Sequence, residues 1–175
     1  PIIATLPFVD VELSHIHKSG TIVVAHDVRD PGNLGTLIRT ADATGVSAVI
    51  LSGNCVDLYN PKTLRATAGS LFAVPVVVLD ELASLKDFAE HAQYDIVATV
   101  VRGGEDLYDT QWSDRSLIVL GNEAAGLDDE LLALSSRRLS IPMSGSAESL
   151  NVGVAGAIVL GEFMRLRRRG SRGAL

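Results

Sequence analysis

The chain has 175 residues, 47% of them hydrophobic and 21% charged, which predicts one globular domain with a real core and excludes a disordered segment. A net charge of −6 excludes wholesale coating of nucleic acid, and a single cysteine, Cys55, excludes an internal disulfide and fits a reducing cytoplasm. The longest apolar stretch, Leu150 to Leu160, is too short to span a bilayer, and the first residues lack the basic start of a secretory signal.

Residues 1–20 read as an irregular lead-in, and the absence of an initiator methionine makes it the expected remnant of a linker from a further N-terminal domain. His15 and His17 lie two apart in it, but a surface connector is the better reading and no metal is expected. From there β-branched runs alternate with helical segments. Strands are expected at Thr21–Ala25, Ala48–Leu51, Val74–Leu79, Asp95–Val101, Leu117–Leu120 and Leu139–Ile141. Helices are expected at Leu34–Thr44, Pro61–Ala68, Leu82–Ala92, Asp128–Leu134 and Leu150–Arg168. Continuous apolar strands between helices predict an α/β fold, a parallel sheet flanked by helices on both faces. The domain proper is expected at residues 21–169, with 170–175 a Gly/Arg/Ser tail. Arg165, Arg167, Arg168, Arg169 and Arg172 cluster near that end, where basic residues suit a helix C-terminus and could also touch phosphate.

Three glycine-bearing segments stand out. In Asp30-Pro31-Gly32-Asn33 a turn opens a helix that Asn33 could cap, with Leu34, Leu37, Ile38 and Ala41 as its buried stripe. Arg39 falls off that stripe and by periodicity alone reads as a solvated arginine. In the second, Leu117–Leu120 runs into Gly121, Asn122 and Glu123 at a strand's carboxyl end, where open α/β sheets bind ligands. Neither a phosphate loop nor a dinucleotide fingerprint is present, which disfavours another class of nucleotide-binding enzyme. Glu123 reads equally well as a helix-proximal carboxylate or as a functional group. In the third, Pro142 ends a strand and the loop to Ser149 leads into a helix that Ser149 could cap. Gly153, Ala157 and Gly161 recur there every four residues and leave a nearly bare face, suited to close contact with another helix or chain.

Together these segments resemble the three signature motifs of the SpoU-type (TrmH-like) ribose 2′-O-methyltransferases, members of the SPOUT, or trefoil-knot, superfamily. The likeness runs from about Ile22 to Glu162, in order and in register. The Asp30–Asn33 segment is most similar to the ribosomal RNA enzymes, including those of thiostrepton-resistance type, with the tRNA enzymes and a catalytically silent RNA-binding homologue as alternatives. The resemblance implies a Rossmann-like N-terminal half and a C-terminal trefoil knot. It implies S-adenosylmethionine as cofactor, RNA as substrate and a cytoplasmic homodimer. Asn33, Arg39, Glu123, Ser149 and Asn151 match the catalytic positions. Thr99, Val100, Val101, Leu120, Gly121, Asn122, Ile141, Pro142, Met143 and Leu150 would line the cofactor pocket. RNA would be held by Arg29, Arg39 and Arg65, with the terminal arginines. Because arginine stays protonated in proteins, Arg39 is expected to act as a cationic fork on phosphate and developing alkoxide, not as a base.

Overall fold

The computed structural model describes residues 5–113, 115–122 and 125–172. Apolar strands, with two more polar strands at one edge, form a seven-stranded sheet: β1 (Ile22–His26), β2 (Ala48–Ser52), β3 (Val76–Val78), β4 (Asp95–Thr99), β5 (Glu105–Asp106), β6 (Ser116–Leu120) and β7 (Arg137–Ser140). Every pairing is parallel, in the order β3-β2-β1-β6-β4-β7-β5. The helices are α1 (Pro31–Thr44), α2 (Pro61–Thr67), α3 (Leu82–Ala92), α4 (Asp129–Leu134) and α5 (Val152–Arg172).

The twofold alternation of strand side chains divides the core. Val23 and Ala25 of β1 pack with Leu34, Leu37 and Ile38 of α1 and with Val159 and Leu160 of α5. Ile22 and Val24 face the other way, onto Leu85 and Phe88 of α3 and Leu131 of α4. Both faces of the sheet are thus covered, as a sheet of uninterrupted apolar strands requires.

Some boundaries differ from expectation for local reasons. Helix α1 begins three residues earlier than its apolar stripe, because Asp30, not Asn33, caps it: the Asp30 carboxylate accepts from the Asn33 N–H at 2.9 Å, and Pro31 takes the first helical position. That N–H holds the Asp30 carboxyl below its ordinary range. Helix α5 begins at Val152, and Asn151 instead of Ser149 accepts from its first turn, at the Val154 N–H, 3.2 Å away. The short edge strand β5 carries no apolar signal; it is held to β7 partly by the Arg137–Glu105 ion pair. The bare stripe of α5 is also placed otherwise than its spacing suggests. Gly153 is buried against Thr36 of α1, but Ala157 is exposed and Gly161 faces open space. The close approach to α1 is made by Gly153 and Gly156, the latter lying against Leu37 and Leu120.

Gly35 sets the distance between α1 and α2. A Cβ there would meet the Ala66 methyl and come within 2.9 Å of the Thr63 carbonyl oxygen, backbone that cannot rotate away. We expect Gly35→Ala to cost about 1–3 kcal/mol, a fall of several degrees in melting temperature by differential scanning calorimetry.

A cavity at the carboxyl edge of the sheet

Strands β4, β6 and β7 end side by side, and their exit loops enclose a cavity of about 230 Å³ with the first turns of α5. Its walls come from Thr99–Val101 after β4, Leu120–Asn122 and Ala125–Leu127 after β6, Ile141 and Met143 after β7, and Ser149, Leu150, Val152 and Ala155 at the start of α5. None of these lining residues carries a charge. Polarity is supplied by backbone groups at the strand ends and by a few hydroxyl and amide side chains. Such a site suits a largely uncharged heterocycle recognised through peptide N–H and C=O.

Asn122 and Gly126 close the loop after β6 as a hairpin. Asn122 and Gly126 exchange backbone hydrogen bonds at 3.1 and 2.9 Å, and the Asn122 side chain accepts from the Ala125 N–H at 3.0 Å. Gly121 permits this: a Cβ on it would stand 2.7 Å from the Gly126 carbonyl oxygen. The Asn122 amide also donates to the Asp27 carbonyl at 3.0 Å, tying the hairpin to the end of β1. Asp27 itself sits in the left-handed region, φ 55°, where a short polar side chain is tolerated. Its carboxylate accepts from the Asn54 N–H at 2.6 Å and pairs with Arg29 at 3.1 Å. The Asn54 N–H, more than Arg29, holds this carboxyl below the ordinary carboxylate range.

The first and third segments meet across 118 positions of chain, where the Asn151 amide donates to the Asn33 side-chain oxygen at 2.9 Å. Because Asp30 caps α1, the Asn33 side chain is available for that bond. Of the ten residues expected at the cofactor, nine line the cavity; Pro142 does not. Ser149, expected near the reacting ribose, lines it as well, and Asn151 stands between two lining residues. Arg39 is exposed on α1 outside the cavity wall, one turn beyond Thr36, which packs on Gly153 at the start of α5. Arg29 and Arg65 are exposed on neighbouring elements and do not enter the cavity. Glu123 lies outside the described residues, as does the side chain of Arg172. Among the described residues no group of three His, Cys, Asp or Glu side chains could hold a metal ion. No helix among them is long and apolar enough to cross a membrane.

Sequence reading missed a polar trio behind the hairpin, His26 with Ser52 and Asp128. His26 is 5% exposed and lies between the Ser52 hydroxyl and the Asp128 carboxylate, 3.1 Å from each. The available signal was the one that exposed Asn122: a polar side chain closing an apolar parallel strand, where the sheet presents groups to a site.

A covered parallel sheet with an uncharged, backbone-rich cavity at its carboxyl edge defines an α/β protein built to hold a small organic cofactor. Residues 20–161 match the SpoU rRNA Methylase family, and the chain belongs to that family. It is 41% identical over 139 residues to 23S rRNA (guanosine(2553)-2′-O)-methyltransferase RlmP of Bacillus subtilis, covering 79% of this chain and 56% of that protein. It is 33% identical over 173 residues to 23S rRNA (uridine(2479)-2′-O)-methyltransferase of Streptomyces viridochromogenes, covering 96% of this chain and 60% of the relative. The chain therefore spans between half and two thirds of the length of these relatives. The crystal structure of the SpoU methyltransferase AviRb from S. viridochromogenes, in complex with the cofactor AdoMet, superposes with a TM-score of 0.85 at 32% identity, over 94% of this chain and 67% of that one.

Proposed function

We propose that this chain is the catalytic domain of an S-adenosylmethionine-dependent RNA methyltransferase that modifies a ribose 2′-hydroxyl of large-subunit ribosomal RNA. The observation that carries the reading is the convergence of the three segments: two wall one cavity, and the Asn33–Asn151 bond fastens the first to its rim. Family membership and the activities named for the relatives support it.

The cavity fits the cofactor's chemistry. Its apolar walls suit an adenine ring, and peptide groups of the loops after β4, β6 and β7 would meet the ring's hydrogen bonds without side-chain charge. When bound, S-adenosylmethionine supplies a methyl group already activated on a sulfonium, so the protein's work is positioning and charge stabilisation. Thr99, Leu120, Asn122, Ile141, Met143 and Leu150 would hold it. Arg39 would fix an RNA phosphate by its planar fork and stabilise the alkoxide that develops as the 2′-hydroxyl loses its proton. Asn33, Ser149, Asn151 and Glu123 would orient the ribose and that arginine. Arg29, Arg65 and the arginines of α5 would add phosphate contacts outside the cavity. The reading includes the C-terminal trefoil knot, a cytoplasmic setting and a homodimer. The uncovered side of α5, with Val154 48% exposed beside Ala157, is the apolar surface offered to a second copy.

The test is sequential. Calorimetry should show saturable S-adenosylmethionine binding, and labelled methyl should then pass to ribosomal RNA as a 2′-O-methyl mark, less readily as salt rises. Absent binding, or methyl found on a base or on tRNA instead, would overturn the assignment.

A further inference from the structure

We infer that His26 is a positioning residue for the cavity, clamping the hairpin after β6 in the shape that accepts the methyl donor; the inference rests on the cofactor reading above. The hairpin leaves the sheet at Gly121 and ends at Asp128, the residue that caps α4 by accepting from the Leu131 N–H at 2.8 Å. Its two ends are moored to two consecutive residues at β1's exit, Asp27 and His26. At its start the Asn122 amide donates to the Asp27 carbonyl, and at its finish the Asp128 carboxylate meets His26. With Nε2–H donating to Asp128, Nδ1 can accept from the Ser52 hydroxyl, so both ring nitrogens have a partner. Ser52 is paired with His26 in register across β1 and β2, which fixes the ring from the side of the sheet.

The Ser–His–Asp order of contacts is not a hydrolytic site. Ser52 is 1% exposed and His26 5%, so no substrate carbonyl can reach the hydroxyl. What the arrangement does is cross-link. It joins the cofactor side, carried by β6, to the exit of β1, which continues through Arg29 and Asp30 into Asn33. A hairpin held at one end only would spend less of its time in the binding shape, and apparent affinity falls by that fraction.

The experiment uses Asp128→Ser, which leaves a capping hydroxyl for α4 but is too short to meet His26. Asp128 is 49% exposed in its side chain, so the variant should fold. His26→Leu removes the other partner, and His26→Gln restores a donor at the Nε2 position. If the clamp matters, Asp128→Ser and His26→Leu each raise the Kd for S-adenosylmethionine about tenfold, as for a hairpin competent about a tenth of the time. The double variant is no weaker than either, and His26→Gln regains most of the affinity. Amide exchange at Asn122 and Gly126 quickens in Asp128→Ser and His26→Leu, while the melting temperature of Asp128→Ser stays at the parent value. Parent-like affinity in Asp128→Ser, or additive losses in the double variant, overturns the clamp and leaves the cofactor reading standing. Failure of the unmodified chain to bind S-adenosylmethionine overturns both.

Discussion

Arg39→Ala should lower methyl transfer by about 10²–10³-fold, the loss typical of deleting one preorganised group that stabilises developing charge. It should leave S-adenosylmethionine affinity unchanged, because Arg39 stands in solvent on α1 and does not wall the cavity. The informative companion is Arg39→Lys. Lysine keeps the charge but offers a single rotating ammonium where the guanidinium presents a planar fork. We expect Arg39→Lys to recover little of the lost turnover in a single-turnover assay with bound cofactor. Full turnover in Arg39→Lys would show that charge alone suffices and would end the bidentate role.

Gly121→Val should weaken cofactor binding by about tenfold to hundredfold, the range expected for forcing extra atoms into a filled site. A Cβ at Gly121 would lie 2.7 Å from the Gly126 carbonyl oxygen and 2.8 Å from Leu127 Cδ2. That carbonyl cannot move aside freely, since it accepts from the Asn122 N–H. The hairpin must therefore open, and with it the wall formed by Asn122, Gly126 and Leu127. Gly145→Ala is the matched control: nothing lies within 4 Å of its would-be Cβ, and affinity should not change. Calorimetric titration of the two variants decides the matter. Equal affinities would mean that the hairpin is not part of the binding wall.

The sheet's core was legible because its strands are apolar on both sides, so burial alone marks them. Helix α3 was read to the residue for a related reason: Leu85, Phe88, Ala89 and Ala92 keep one buried stripe between polar neighbours. What escaped depends on side chains distant in sequence. The start of α1 hinges on whether Asp30 or Asn33 takes the cap, and both residue types cap well. Asp30 takes it, and the Asn33 oxygen accepts instead from Asn151 at the far end of the chain. Strand β5 is two acidic residues whose pairing is decided by Arg137 and the β7 edge, not by propensity. The cavity wall was read from family likeness, and nine of its ten residues do line one space. His26 was passed over because its partners, Ser52 and Asp128, lie on other elements, and no spacing rule links positions 102 apart.

The strand order has a consequence during synthesis. β1 pairs on one side with β2, which follows it closely, and on the other with β6, whose last residue is Leu120. Until that later segment leaves the ribosome, the fully buried strand Ile22–His26 keeps one unpaired edge, the kind of edge that invites pairing with other chains. The half-made protein therefore keeps an aggregation-prone edge until β6 emerges, and the methyl-donor cavity, walled by residues from Thr99 onward, is among the last parts to exist.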